Sequence, residues 1–305
     1  MAKKNRFRIL DMIGNTPLVR LDSIAAEVPG IELYAKAEFT NPSGSVKDRA
    51  AKAIILDGLR SGKLAEGKTI LDATSGNTGI AFAMIGAALR HPVTLYLPQN
   101  ASPERKRMIQ SLGARIVETD PLESSDGAFL AARAAADANP EACFFPDQYN
   151  NPANARAHYQ TTGVEIWEQT KRAVTHFVAI LGTSGTFTGV ARRLKRFNPA
   201  IKTLAVQPDS PFHGIEGTKH MASTIRPGIL DESLIDATLL VSTEAAFAMT
   251  RRLARDEGLY VGPSAGANVS AALALARTLP PGARIVTILC DGGARYTSAE
   301  FWEIA

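Results

Sequence analysis

Cysteine is scarce in this sequence of 305 residues, which contains only Cys143 and Cys290. The two lie far apart, each in an apolar, strand-like segment, so a disulfide framework is excluded and buried free thiols are expected. Neither cysteine has a neighbouring histidine or a helix start that would favour the reactive thiolate. A catalytic cysteine is therefore not expected.

Long apolar runs and an excess of one charge are also missing. No stretch approaches the ~20 apolar residues of a membrane span. The opening MAKKNRFR is followed by no uninterrupted apolar run, so we expect no signal peptide, no membrane partner and a cytoplasmic location. The chain has 34 Lys and Arg residues against 30 Asp and Glu residues, so neither sign of charge is in large excess. Because no basic stripe is interleaved with aromatic residues, nucleic-acid binding is not expected.

Histidines are few and show no metal-ligand spacing. They are His91, His158, His176, His213 and His220. We therefore expect no metal site.

What the chain has in abundance is apolar sequence, 45% of its residues, arranged as strands that alternate with helices. Such alternation predicts an α/β fold with two doubly wound, parallel-sheet lobes. Strands are predicted at Thr69–Ala73, Val93–Leu97, Ala114–Glu118, Cys143–Pro146, His176–Leu181, Thr203–Gln207 and Arg284–Leu289. Helices are predicted from Asn77, Ser102 and Ser125 and over Asn154–Thr170, Thr243–Glu257 and Ser264–Leu279.

Lys47 ends the turn-rich segment NPSGSVK and opens a helical run that continues to Arg60. A cation in the first turn of a helix faces the positive end of the helix dipole, which costs about 0.3–1 kcal/mol. The same field favours the neutral amine that Schiff-base chemistry with a carbonyl cofactor requires. The alternative is an ordinary solvated lysine balanced by Asp48.

Three further segments place glycine and hydroxyl residues at a helix start. They read TSGNTG at 74–79, GTSGTFTG at 182–189 and GPSAGAN at 262–268. Backbone N–H groups at a helix N-terminus bind anions, and glycine lets the chain approach a phosphate closely. Ligands of doubly wound sheets bind beyond the carboxyl ends of strands, so a cleft between the lobes is the expected site.

These segments, with IGNTPLVR at 13–20, DQYNNP at 147–152, HYQTTGVEIW at 158–167 and CDGGARYTS at 290–298, carry a family resemblance. In this order they resemble the cysteine synthases of the fold-type II pyridoxal 5′-phosphate (PLP) enzymes, across essentially the whole chain. They point to the O-acetylserine sulfhydrylase B branch and its phosphoserine-using relatives. The resemblance implies that the early segment around Pro17–Ala37 joins the C-terminal sheet. It thus implies a smaller lobe, 40–147, and a larger one made of 1–39 plus 148–305.

The resemblance also assigns roles. Lys47 would be the catalytic Schiff-base lysine, Ser264 would meet the pyridine nitrogen and Asn77 the 3′-oxygen. The phosphate would bind to Gly182, Thr183, Ser184, Gly185 and Thr186. The substrate carboxylate would bind to Thr74, Ser75, Asn77, Thr78 and Gln148. Thr78 could instead serve only as a helix cap.

The implied reaction is a ping-pong β-replacement that makes L-cysteine from O-acetylserine, or O-phosphoserine, and a sulfur donor. The donor could be sulfide, thiosulfate or a thiocarboxylated carrier protein, and a homodimer is implied. Lys219 is the nearest cation to the position where phosphoserine-using relatives place an arginine, and its alternative is a solvated loop lysine.

The rival enzyme within the family is cystathionine β-synthase, with homocysteine as nucleophile. A catalytically silent interaction protein of this fold is the non-enzyme alternative, but it would be expected to have lost Lys47. A dinucleotide oxidoreductase is disfavoured, since the loop at Gly182 lacks the second glycine of GxGxxG and the next strand ends in Gln207 rather than an acid.

Overall fold

The computed structural model of the protein describes residues 8–74 and 76–303. Ser75, predicted to bind substrate, and the first seven residues lie outside this part of the chain. Within it, the strands are β1 (Leu18–Arg20), β2 (Glu32–Ala37), β3 (Thr69–Ala73), β4 (Val93–Pro98), β5 (Arg115–Thr119), β6 (Cys143–Phe144), β7 (His176–Ile180), β8 (Lys202–Pro208), β9 (Ala237–Val241) and β10 (Arg284–Leu289).

The helices connect these strands and cover the sheets that they form. The α-helices are α1 (Asp22–Ala25), α2 (Lys47–Arg60), α3 (Asn77–Leu89), α4 (Pro103–Ser111), α5 (Ser124–Ala138), α6 (Pro152–Gln160), α7 (Thr162–Gln169), α8 (Gly185–Phe197), α9 (Thr243–Asp256) and α10 (Pro263–Ala276). Single 3₁₀ turns lie at Ile9–Met12, Glu38–Thr40, Pro121–Glu123, Glu232–Leu234, Gly293–Arg295 and Glu300–Trp302.

Two sheets form, as the alternating pattern predicted. The larger has the strand order β1-β2-β10-β7-β8-β9, and the smaller has the order β5-β4-β3-β6. All neighbouring strands are parallel except β1, which runs antiparallel to β2. The expected crossing of the early segment is confirmed, because β2 pairs with β10 in the C-terminal sheet. The domain bounds stay a prediction, which this division of strands supports.

The central strands are mostly apolar because both of their faces are covered. In β10, Ile285 and Leu289 pack into the cluster that contains α9 and α10. Val286 and Ile288, on the opposite face, pack with α7 and α8. Strand β10 thus packs against helices on both faces of the sheet, which helps to fix the loops at its carboxyl edge.

Two predicted elements differ from the structure, and one strand was not predicted. The single helix over Asn154–Thr170 is wrong: α6 and α7 are separate, with Thr161 between them at φ −122° and ψ −76°. The Thr161 hydroxyl donates to the Ala157 carbonyl at 2.7 Å, a back-bond that disturbs helices. The strand predicted to reach Pro146 ends at Phe144. Strand β9 was not predicted, since it is a mostly exposed edge strand without a full apolar face.

Candidate active site

A cleft between the two sheets collects most of the residues that the sequence singled out. Its wall includes the predicted residues Lys47, Thr74, Asn77, Thr78, Gln148, Gly182, Thr183, Ser184, Thr186, Lys219 and Ser264. Two of its loops follow β3 and β7 directly, as expected for ligand sites of parallel sheets. The segment that carries Ser264 follows α9 rather than a strand. It reaches the same edge because Val261 bridges to Gly292, just beyond β10.

Lys47 is the first residue of α2 and lies partly exposed in the cleft. The pKa of its ammonium is lowered, chiefly because burial removes water from the charge, while nearby Cys290 and Asp291 oppose the shift. The sequence predicted this direction from the helix dipole, whereas the leading cause in the structure is desolvation. The pKa shift is in the direction of the neutral amine that a Schiff base requires.

Asp48 does not balance Lys47. Its carboxylate accepts hydrogen bonds from the backbone N–H of Ser43, at 2.7 Å, and from the Ser43 hydroxyl. Burial raises the pKa of Asp48 to about 6 even though these bonds favour the charged form. Asp48 therefore fixes the turn before Lys47, and the described residues form no ion pair between the two.

The loop after β3 combines a helix cap with a hydroxyl aimed across the cleft. The Thr74 hydroxyl oxygen accepts from the N–H groups of Gly76, at 3.0 Å, and Gly79, at 3.2 Å. Thr78 instead donates from its hydroxyl to Gln148 Oε1 at 2.8 Å. Gln148 is held in turn by donating from Nε2 to the Ala73 carbonyl at 3.1 Å. The capping role considered for Thr78 thus belongs to Thr74.

The loop after β7 has the form of an anion cradle at the start of α8. Ser184 adopts a left-handed backbone conformation, with φ +68°, and its buried hydroxyl has no hydrogen-bond partner among the described residues. A Cβ on Gly182 would collide with the Gly217 carbonyl oxygen, and one on Gly185 would collide with Asn154. Gly185 packs behind the loop, whereas the other four residues of the predicted cradle line the cleft.

Ser264 and Asn77 occupy the starts of two helices that face the cleft. Ser264 lies in the first turn of α10 and is 7% exposed. Asn77 donates from Nδ2 to Asp291 Oδ2 at 2.6 Å, while its own Oδ1 is buried without a partner among the described residues. Together with Ser184, Asn77 therefore gives the cleft region buried polar atoms that have no partner among the described residues.

Four residues of the cleft region were missed as site residues by the sequence reasoning. Arg105, from α4, forms an ion pair with Glu216, and its guanidinium lies 4.8 Å from the centre of the Tyr296 ring. The Tyr296 hydroxyl donates to Asp291 Oδ2 at 2.7 Å. Arg105 was visible only as part of a basic run. Asp291 and Tyr296 lie in the CDGGARYTS motif, but nothing in that motif indicated their partners.

Lys219 is not a solvated loop lysine. It is 6% exposed, and its Nζ lies 3.2 Å from Asp126 Oδ1 and 5.1 Å from the centre of the Tyr149 ring. A buried ammonium on the cleft wall carries only one carboxylate partner among the described residues. That arrangement leaves it able to attract a second anion.

The donor set fits PLP: a lysine amine with a lowered pKa, a hydroxyl-rich loop at a helix start, and polar atoms on Ser184 and Asn77 that lack a partner within the described part of the chain. A family model described as pyridoxal-phosphate dependent enzyme matches residues 9–291. The chain belongs to this family. PLP is accordingly its cofactor, and the α/β architecture is that of fold-type II.

Several cysteine synthases and related enzymes align with nearly the full length of this PLP-dependent enzyme. It is 51% identical to a cysteine synthase of Aquifex aeolicus over 98% of its own length and 93% of that protein. It is 41% identical to cysteine synthase B of Salmonella typhimurium over 94% of its own length and 93% of that protein. The solved O-acetylserine dependent cystathionine β-synthase from Helicobacter pylori aligns with a TM-score of 0.91 and 35% identity, covering 98% and 99%.

The structure also bears on metal ligands, membrane spans and the two cysteines. Among the residues described, no group of three or more His, Cys, Asp and Glu side chains is placed to hold a metal. None of the helices in that part of the chain has the length and apolar character needed to span a bilayer. Cys143 and Cys290 are free thiols, but they are partly exposed rather than buried as predicted, and Cys290 lines the cleft.

Proposed function

We propose that this PLP-dependent enzyme is a cysteine synthase that replaces the β-substituent of an activated serine, O-acetylserine in the first place, with sulfide. The observation that carries the proposal is the convergence of the Lys47 amine, the Thr74–Thr78 loop and the 182–186 loop on one cleft. The names of the relatives support the same substrate class.

The residues present divide the ligand between them. Lys47 would hold the cofactor covalently, the 182–186 loop would bind its phosphate, Ser264 its ring nitrogen and Asn77 its 3′-oxygen. When bound, PLP supplies a sink for the electron pair released at the substrate α-carbon. A serine hydroxyl does not force the ring nitrogen to carry a proton, so this sink is weak. Weak withdrawal favours prompt loss of the β-substituent over transamination.

The substrate carboxylate would bind between the loop after β3 and Gln148. The start of α3 offers N–H groups with the positive end of the helix dipole behind them. Because Gln148 is held by Ala73 and Thr78, its amide is placed before the substrate arrives. A carboxylate fixed here would direct the rest of the amino acid towards Lys47.

Lys47 also provides the base. Once its Nζ is free of the cofactor, the amine can take the α-proton in its neutral form, and the pKa shift caused by burial is in that direction. Loss of the β-substituent followed by addition of sulfide at the same carbon then gives cysteine.

Cystathionine β-synthase remains the second candidate because a structural relative carries that name. The deciding experiment is steady-state turnover of O-acetylserine, O-phosphoserine and serine, each with sulfide and with homocysteine. The proposal expects the highest kcat/KM with O-acetylserine and sulfide. A clear preference for homocysteine would replace it with the second candidate.

Lys47→Ala is the control for catalysis as such, and borohydride reduction followed by peptide mapping should locate the cofactor on Lys47. Wild-type protein that neither takes up PLP nor turns over any of these substrates would favour the silent interaction protein.

A homodimer and a sulfur-carrier partner are part of the proposal. Light scattering, and turnover with a thiocarboxylated carrier as donor, test them.

A further inference from the structure

Asn154 is a buried amide, 1% exposed, that lies behind the cleft wall rather than in it. It belongs to the first turn of α6. Its Nδ2 donates to the Gln148 carbonyl oxygen at 2.8 Å and to the Thr183 hydroxyl oxygen at 3.1 Å. One side chain thus contacts both the substrate-carboxylate residue and the proposed phosphate loop.

The chemistry of the partners fixes the direction of these hydrogen bonds. A backbone carbonyl only accepts, so the atom of Asn154 that faces Gln148 must be the amide nitrogen. That nitrogen also points at Thr183, whose oxygen must therefore accept. The Thr183 hydroxyl proton is then left to point elsewhere. Because Thr183 lines the cleft, its proton is available to a ligand there.

The other side of the amide limits the loop as well. A Cβ on Gly185 would occupy the space of Asn154 Oδ1, so the amide packs directly against the backbone where α8 begins. Asn154 therefore sets both the position of the loop and the direction of one of its hydroxyl protons.

We propose that Asn154 is a positioning residue: it makes the Thr183 hydroxyl a donor towards the phosphate of PLP and holds that loop in register with Gln148. The inference rests on the proposed function only through its cofactor, because it concerns binding of the phosphate and not the reaction that follows.

Substitution by aspartate separates this role from simple packing. Asp matches the shape of Asn but would place an acceptor against the Gln148 carbonyl oxygen and draw the Thr183 proton away from the cleft. Alanine only leaves space. A donor role predicts that Asn154→Asp weakens PLP binding more than Asn154→Ala, whereas a packing role predicts the opposite order.

In the experiment, the apoproteins are titrated with PLP and, separately, with pyridoxal, which lacks the phosphate. Tryptophan fluorescence monitors binding. We expect Asn154→Asp to raise the apparent dissociation constant for PLP about 5- to 100-fold. The constant for pyridoxal should change less than about two-fold, because the altered hydroxyl faces the phosphate. Equal losses for PLP and pyridoxal, or a milder effect of Asp than of Ala, would overturn the inference.

Asn151→Asp is the matched control, since it removes an amide-to-carbonyl hydrogen bond at the start of the same helix, from Nδ2 to Pro146 at 2.9 Å. It should bind PLP as the wild type does, and a loss equal to that of Asn154→Asp would contradict the inference.

If Asn154→Asp does not fold, a double-mutant cycle of Asn154→Ala and Thr183→Ala decides. The PLP dissociation constants should then be non-additive, because both changes remove one hydrogen bond, and additive effects would overturn the inference. Wild-type protein that binds PLP but forms no cysteine would instead contradict the proposed function and leave this inference standing.

Discussion

Asn77 and Asp291 meet across the cleft, with Asn77 Nδ2 donating to Asp291 Oδ2 at 2.6 Å. The two residues are 214 positions apart, one at the start of α3 and the other just after β10. The same carboxylate oxygen accepts from the Tyr296 hydroxyl at 2.7 Å. A charged acceptor from the larger sheet therefore orients an amide that belongs to the smaller one.

Removal of this acceptor should weaken cofactor binding. In Asp291→Ala, the Asn77 amide loses a charged hydrogen bond and can rotate, so we expect about a tenfold rise in the PLP dissociation constant. Asp291→Asn keeps an acceptor oxygen and should lose less. Tyr296→Phe, which removes only the second donor, should remain close to wild type. A fluorescence titration measures all three, and an equal loss in Asn and Ala would show that the acceptor is unimportant.

Thr78 and Gln148 provide a test of the carboxylate site. Thr78→Val leaves Gln148 Oε1 buried without its 2.8 Å hydrogen bond, which costs about 1–3 kcal/mol. We expect KM for O-acetylserine to rise about 5- to 100-fold and KM for sulfide to change little, because sulfide has no carboxylate. Thr78→Ser, which restores the hydroxyl, should recover most of the loss. Equal increases for both substrates would show that Thr78 acts only on the fold.

His158 should make stability depend on pH. Its ring nitrogens lie 2.9 Å from the Thr162 hydroxyl and 3.3 Å from the Thr186 hydroxyl. Burial and the nearby Arg49 charge lower the pKa of His158 to about 3. Between that value and the ordinary pKa of about 6.5, the unfolded chain binds a proton that the folded chain does not. This residue's contribution therefore falls as the pH drops through that window.

His158→Gln keeps a polar side chain but does not titrate. We expect its free energy of unfolding to fall less steeply with decreasing pH than that of the wild type, by up to about 1.4 kcal/mol per pH unit. Urea denaturation between pH values of about 4 and 6 measures the two slopes. His91→Gln, a change at a half-buried histidine away from the cleft, is the control. Identical slopes in wild type and His158→Gln would refute the assignment.

Sequence reasoning located the parts of the site that depend on local chain geometry. Lys47, Thr74 and the 182–186 loop each stand at a helix start, and that position is visible in a run of fewer than ten residues. The order of these motifs also sufficed to indicate the cofactor. Their meeting in one cleft followed from the rule that parallel sheets bind ligands at one edge.

The sequence did not predict residues whose roles depend on partners far away in the chain. Arg105 and Glu216 are 111 positions apart, and neither neighbourhood indicates the other. The break at Thr161 did carry a local signal, since Thr161, Thr162 and Gly163 are three weak helix formers in succession. Strand β9 was missed because an edge strand needs no continuous apolar face.

Lys219 gives the sharpest test of which serine ester the enzyme accepts. Lys219 is 6% exposed, and its Nζ lies 3.2 Å from Asp126 Oδ1, on the wall of the cleft that holds Lys47. We propose that it binds the phosphate of O-phosphoserine as a point charge, without the bidentate geometry of an arginine. Asp126 would then compete with the phosphate for the same ammonium.

Lys219→Ala should lower kcat/KM for O-phosphoserine by a factor equivalent to about 1–3 kcal/mol of transition-state free energy, the usual loss for a charged hydrogen bond. It should leave kcat/KM for O-acetylserine nearly unchanged. Asp126→Asn provides the opposing variant, because it removes the competing carboxylate and keeps the shape of the side chain. Its kcat/KM for O-phosphoserine should rise above that of the wild type. Steady-state kinetics with both esters and sulfide measures these effects. If Lys219→Ala lowers kcat/KM equally for both esters, or for neither, Lys219 serves only to pair with Asp126 and the leaving group is recognised elsewhere.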